Sequence, residues 1–140
     1  MAPAPAGYSG KPLFQKIGIK EDMRIGVINA PVHFPELMGG APSVLFDHIQ
    51  ANDTASGGYD IVHLFCIDIA TLEAGIQQAF SLAADPGMVW VSWPKKSSKL
   101  FIDLTEDMIR TVIKDSGWVD VKVCAVDADW SGLKLLRRRK

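Results

Sequence analysis

The sequence predicts a single three-layer α/β domain, a mostly parallel sheet with helices on both faces and an antiparallel hairpin at its C-terminal end. Three observations lead there. Four short apolar runs lack the polar alternation of half-exposed strands and read as strands buried on both faces. Segments with helical spacing or helix punctuation lie between them. From residue 119 onward the period changes to strict alternation, the mark of an antiparallel pair. At 140 residues, 48% of them hydrophobic and 22% charged, the chain is long enough to bury one core without staples.

Residues 1–11, rich in Pro, Gly and Ala, read as a flexible lead-in to a domain spanning 12–136. Pro12 to Ile17 predicts one helical turn, with Pro12 at its first position and Gly18 ending it. Arg24 to Asn29 is a buried strand stopped by Ala30-Pro31. Val32 to Met38 predicts a short helix, with Pro35 confined to its first turn and Gly39-Gly40 closing it. Val44 to Phe46, extending toward His48, is a second strand, and the polar, Gly-rich stretch 50–58 is a loop. Asp60 to Cys66 is apolar on both faces, as a central parallel strand requires. Ile69 to Ala84 is a helix whose stripe is Leu72, Ile76 and Phe80, flanked by Ala79 and Ala83.

Pro86-Gly87 punctuates before the next central strand, Met88 to Trp93. Asp103 to Ser116 predicts a helix with Asp103 as N-cap, Glu106 three residues on, a buried face of Met108, Ile109, Val112 and Ile113, and Gly117 past its end. Val119 to Ala125 and Trp130 to Leu136 form the closing hairpin, adding an antiparallel strand at one edge. Arg137-Arg138-Arg139-Lys140 is a basic tail.

Composition excludes several function classes. The 15 Lys+Arg and 16 Asp+Glu nearly cancel, so charge gives no reason to expect nucleic acid. Four of the positives sit in the four-residue tail, leaving 11 Lys+Arg against 16 acids in residues 1–136, a net of −5; with no aromatic interleaved, a tail of that length reads as solubilising rather than polyanion-binding. No apolar run approaches a membrane helix, and the N-terminus lacks a basic, then apolar, secretory pattern; a cytoplasmic location is expected. Cys66 and Cys124 fall in strand-like runs and read as buried free thiols. His33, His48 and His63 are scattered, and no metal site is expected.

Two sets of residues carry a resemblance. Gly58-Tyr59-Asp60-Ile61-Val62, the helix after it, Asp85-Pro86-Gly87-Met88-Val89-Trp90-Val91, a second helix, Ser116-Gly117-Trp118 and the hairpin together resemble the second half of the Rossmann-like class I methyltransferase fold. Gly18-Ile19-Lys20 before Arg24-Ile25-Gly26-Val27 resembles its entry to strand one. Over nearly the whole chain, the runs Gly7-Tyr8-Ser9-Gly10, Lys16-Ile17-Gly18-Ile19-Lys20, Asn29-Ala30-Pro31, Trp93-Pro94-Lys95-Lys96, Asp103-Leu104-Thr105-Glu106-Asp107 and Trp130-Ser131-Gly132-Leu133-Lys134 resemble bacterial domain-of-unknown-function family 3052. That family supplies relatives without a mechanism. The methyltransferase likeness implies a glycine turn after strand one for close approach to a cofactor. Here the turn reads Asn29-Ala30-Pro31-Val32-His33, has no glycine, and loses one N–H at Pro31. One strand-helix unit after strand two is also missing.

In open α/β sheets ligands bind at the carboxyl ends of the strands. The rule gathers Asn29, Pro31, Asp47, Asp68, Trp93, Lys95 and Lys96 at one rim. Lys95, Lys96 and Lys99 follow a buried strand with no acid nearby in sequence, which reads as a mobile anion-binding loop or as a solvated, solubilising one. Asp47 is expected to end strand two, where an acid can hold a ribose. Asn29 either orients a ligand or closes its own turn. Asp103, Glu106 and Asp107 read as helix-capping acids rather than an acid/base pair. His63 and Cys66, three apart on one strand, face opposite sides and form no dyad. Trp93 and Trp130 border loops and can stack on a ring.

The sequence therefore predicts a Rossmann-like module that binds an anionic small molecule, a nucleotide or a protein partner at this rim without catalysis. A divergent methyltransferase-like or other nucleotide-using enzyme is the alternative. No particular cofactor is specified.

Overall fold

The structure, a computed structural model, describes residues 11–50 and 57–139. The elements run α1 (Leu13–Ile17), β1 (Arg24–Ile28), α2 (Phe34–Leu37), β2 (Leu45–Ile49), β3 (Tyr59–Phe65), α3 (Ile69–Leu82), β4 (Ala83–Pro94), α4 (Glu106–Ile113), β5 (Trp118–Ala125) and β6 (Trp130–Arg137). The expected lead-in and most of the 50–58 loop lie outside the described residues. The strands form one sheet in the order β2-β1-β3-β4-β6-β5. The first four strands are parallel, with Ile28 level with Leu64, and Leu64 level with Val91.

The hairpin departs from expectation in one respect. Its returning strand β6 lies between β4 and β5 and runs antiparallel to both, so the edge strand is β5. The hydrophobic pattern explains the choice. Leu133 and Leu135 of β6 are wholly buried, whereas Val121 and Val123 of β5 are about half exposed.

Two cores sandwich the sheet. On one face α3 and α4 bury Leu72, Ile76, Ala79, Phe80, Ile109 and Ile113 against Val62, Leu64, Val89, Val91, Leu133 and Leu135. The predicted α3 stripe is thus entirely internal. Gly75 permits this approach: a Cβ there would stand 3.0 Å from Leu64 Cδ1. On the other face the short helices α1 and α2 bury Leu13, Ile17 and Phe34 against Ile25, Val27, Ile61, Phe65, Trp90 and Trp130.

Helix α4 corrects two expectations. Its N-cap is Thr105, whose side chain accepts from the Met108 N–H, and the helix ends at Ile113. Asp103 instead reaches back to accept the Ile69 N–H at 2.9 Å, capping α3. Met108, expected inside, is exposed, because the buried seam is Ile109 and Ile113 with Val112 half-covered. The basic tail is partly structural. Arg137 belongs to β6, its guanidinium donates to the carbonyls of Ala83 and Ala84, and it stacks over Trp118; Arg139 pairs with Asp85 at 2.8 Å.

Candidate functional site

Parallel order places the carboxyl ends of β1, β3 and β4 at one rim, joined there by the β5–β6 turn, since Pro94 pairs with Trp130. The order reverses between β1 and β3: the chain moves outward from β1 to β2, then crosses back to β3. Such a switch point opens a crevice, because the connections leave in opposite directions. A depression of about 360 Å³ lies there, lined by Asn29, Phe65, Ile67, Thr71 and Trp130.

Each wall has a local cause. Asn29 follows the last residue of β1 with φ 59°, the left-handed region that Asn tolerates better than most side chains. Phe65 ends β3 and is held on three sides: by Phe34 at 5.9 Å edge-on, by the His63 ring stacked at 4.2 Å, and by Trp130 edge-on at 5.3 Å. Trp130 is only 5% exposed, yet among the described residues its indole N–H has no hydrogen-bond partner. By contrast, the buried Trp90 indole donates to the Ile17 carbonyl at 3.0 Å.

The carboxylates of this rim are already engaged. Asp68 accepts from both the N–H and the hydroxyl of Thr71, capping α3, and those bonds hold it below the usual carboxylate range. Asp127, in the β5–β6 turn, accepts from the Asp129 and Trp130 N–H groups through one oxygen and meets His33 Nε2 at 2.8 Å through the other. The turn after β1 is thereby clamped to the hairpin. Asp129 accepts from the Ser98 hydroxyl, and its carbonyl accepts the Lys95 N–H at 2.8 Å.

These contacts correct the expected loop. The Lys95–Lys99 segment is tied to the hairpin at Lys95 and Ser98 rather than hanging free. It also borders a different cleft, about 410 Å³, lined by Trp93, Lys95, Lys96, Thr105, Glu106, Asp107 and Ser131. Asn29 and the lysines thus share a rim but not a depression. The acids Glu106 and Asp107, distant from the lysines in sequence, come to face them through the start of α4.

Asp47 is also displaced from its expected position. The strand β2 continues to Ile49, so Asp47 sits mid-strand, level with Gly26. Its carboxylate accepts from the Tyr59 hydroxyl at 2.7 Å and lies 3.7 Å from Arg24, facing the amino ends of the strands. Pro31 lies in the turn after β1 and Asp68 in the turn after β3; neither lines the switch-point depression. Ile67 lies in the strand-end run Cys66-Ile67-Asp68 that the rule gathers at the rim, whereas Phe65 and Thr71 are not singled out by the sequence. The rule that selected Asn29 and Asp68 extends to them, since they flank the same strand end.

His63 and Cys66 do lie on opposite faces, as expected. Burial drives the His63 imidazole down to about 3, and its Nε2 meets Ser92 Oγ at 2.6 Å. Burial pushes the Cys66 thiol up, and the Asp68 charge adds to the effect, so Cys66 is not a nucleophile at neutral pH. Among the described residues no group of His, Cys, Asp and Glu is placed to hold a metal ion, and no helix is long and apolar enough to cross a membrane.

No protein-family model matches the chain, and no curated protein matches it in sequence. Solved structures do match in fold. An S-adenosylmethionine (SAM)-dependent methyltransferase from Aquifex aeolicus superposes with a TM-score of 0.65, covering 90% of this chain and 88% of its own at 12% identity. The magnesium protoporphyrin IX methyltransferase of Synechocystis PCC 6803, solved with bound SAM, gives 0.59 over 90% and 74% at 14% identity. The fibrillarin pre-rRNA processing protein of Methanococcus jannaschii gives 0.60 over 93% and 70% at 13% identity. At such identities the likeness establishes architecture and leaves activity open. The domain has the Rossmann-like fold of class I SAM-dependent methyltransferases.

Proposed function

We propose that this chain is a methyltransferase-fold domain that uses a nucleoside-bearing small molecule, bound in the depression between β1 and β3. The single observation that carries the reading is the position of that depression, at the carboxyl-end switch point of a sheet whose domain superposes on a methyltransferase solved with bound SAM. The fold comparisons favour this nucleotide-using reading over a non-catalytic anion module at Lys95 and Lys96. The lysine cleft also contains Glu106 and Asp107, so its net field does not select an anion. Membership in bacterial family 3052 and a reducing cytoplasmic setting complete the proposal; the free thiols of Cys66 and Cys124 support the latter.

SAM itself does not fit these residues as a glycine-turn site would hold it. Asn29, Ala30 and Pro31 all carry side chains where the backbone would approach the cofactor, and Pro31 offers no N–H. β2 ends at Ile49 and is followed by Gln50; among the described residues no carboxylate stands at that strand end for a ribose, and Asp47, mid-strand, is engaged by Tyr59.

Thermal unfolding in the presence of adenosine, AMP, S-adenosylhomocysteine and SAM tests the reading. At least one ligand should raise the melting temperature at millimolar concentration. No shift with any of them sinks the assignment. A shift that disappears in Lys95→Ala/Lys96→Ala moves the site to the neighbouring cleft.

A further inference from the structure

We propose that the cleft between the loop after β4 and the start of α4 binds a small zwitterion, its carboxylate toward Lys95 and Lys96 and its ammonium toward Glu106 and Asp107. This cleft is separate from the β1/β3 depression, and the inference does not depend on the nucleoside reading.

The sheet supplies the floor. Trp93, itself buried, lies level with Ser131 where β4 pairs with β6. The cleft they line has a volume of about 410 Å³, room enough for a molecule the size of an amino acid. Lys95 and Lys96 line it from the loop, and Thr105, Glu106 and Asp107 line it from α4.

Opposite charges therefore share one cleft, yet they do not close on each other. Among the described residues neither acid is ion-paired with a lysine. Both turn to Arg110, Glu106 by a direct ion pair and Asp107 at 3.6 Å. Arg110 does not cancel them, because it also serves Asp120 at 2.9 Å, so three carboxylates share one guanidinium. Acids in a first helical turn also offset the helix dipole. That role needs no lysine opposite them, and the facing lysines are what a zwitterion would use.

Both backbones are anchored independently. On the loop side, the Lys95 N–H donates to the Asp129 carbonyl at 2.8 Å, the Ser98 N–H donates to the Lys95 carbonyl at 2.9 Å, and the Ser98 hydroxyl donates to the Asp129 carboxylate. On the helix side, Thr105 caps α4 by accepting the Met108 N–H, and Asp103 is bound to the Ile69 N–H. The two sides are thus set before a ligand arrives, which leaves little backbone ordering for binding to offset.

The charge pattern selects the ligand. A carboxylate alone is drawn by the lysines and repelled by Glu106 and Asp107; an ammonium alone meets the reverse. A molecule carrying both charges gains on both sides and sets neither against its like.

The test is a titration of the ¹⁵N-labelled full chain with glycine, γ-aminobutyrate, acetate and methylammonium at low ionic strength, following the amide signals of Lys96, Glu106 and Ser131. At least one of the two zwitterions should move all three signals together, bind at least about fivefold more tightly than either single ion, and weaken as salt is added. The two zwitterions differ in the separation of their charges, so their order of affinity reports the span of the gap. Glu106→Gln/Asp107→Asn should turn the cleft into an anion site, with acetate binding rising about threefold or more and the advantage of the zwitterion lost. Lys95→Ala/Lys96→Ala should do the same for methylammonium. A purely capping or solubilising role would move neither preference. Acetate or methylammonium binding as tightly as the better zwitterion, or no movement of these signals with any of the four, overturns the proposal. Should a variant fail to fold, the four titrations of the wild type decide alone. Adenosine binding at the β1/β3 depression is read separately, so the loss of either site leaves the other standing.

Discussion

His63 and Trp130 both pack against Phe65, one stacked on its face with ring centres 4.2 Å apart, the other edge-on at 5.3 Å. Both are almost fully buried on the same side of the sheet. In the middle of the sheet, the His63 imidazole finds Ser92 on the adjacent strand at 2.6 Å. At the rim, where β6 begins, the Trp130 indole finds nothing. The pairing of β3 with β4 sets His63 level with Trp90, two residues from Ser92 on the same strand, so the strand ladder itself delivers a partner. Trp130 sits where the ladder stops, and no further strand supplies an acceptor. The strand ladder thus meets the polar group in the middle of the sheet and leaves the one at its rim unmet.

The largest expected effect bears on the satisfied member. The unfolded His63 takes up a proton near pH 6.5, whereas the folded one resists down to about 3. Within that window the unfolded state binds more protons, so stability falls as pH falls, and the loss is complete near the folded value. Between pH 7 and pH 4.5 this single group should cost about 3 kcal/mol, as the span below 6.5 is roughly two units at 1.4 kcal/mol each. Urea unfolding at both pH values should show His63→Gln losing less than the wild type by that amount. Parallel losses in the two proteins would show that the imidazole is hydrated in the folded chain, and the contrast with Trp130 would collapse.

A second satisfied group lies at the opposite end of the strands. The Tyr59 hydroxyl donates to Asp47, and the Arg24 guanidinium lies over the Tyr59 ring at 4.5 Å. Tyr59→Phe removes one hydrogen bond to a half-exposed carboxylate and should cost about 1 kcal/mol in chemical unfolding. It should leave adenosine binding unchanged, because the network faces away from the rim. A loss of binding in this variant would return Asp47 to the ligand site.

Much of the fold is written in local pattern. Leu72, Ile76 and Phe80 repeat at helical spacing, and Asp60 to Cys66 is apolar on both faces, so α3 and β3 need no tertiary information. The caps are different. Asp103 and Thr105 are both good N-caps, two residues apart, and local sequence does not separate them. The choice follows from a long-range bond, Asp103 to the Ile69 N–H, which removes Asp103 from its own helix. The order of β5 and β6 is likewise silent in a hairpin pattern and becomes legible only when the exposure of Val121 and Val123 is set against the burial of Leu133 and Leu135. At the site, the strand-end rule reached Asn29 because it depends only on strand direction. It misplaced Asp47 because the end of β2 came three residues later than its apolar run suggested. Trp130 was visible as a ring beside a loop, but its missing acceptor is a property of the assembled rim.

The smallest effect separates backbone from side chain at that rim. Asn29 holds φ 59°, a conformation that costs most L-residues about 1–2 kcal/mol and costs glycine nothing. Asn29→Gly keeps the turn, loses the amide and gains chain entropy in the unfolded state, and these small terms oppose one another. Stability should stay within about 0.5 kcal/mol of the wild type by urea unfolding. Adenosine affinity should nevertheless fall about fivefold, because the exposed amide at the lip is the one side chain lining the depression that offers both a donor and an acceptor to a ring edge. Unchanged affinity would mean that Asn29 serves only to turn the chain after β1. The recognition would then rest on Phe65, Ile67, Thr71 and Trp130, the other residues lining the depression.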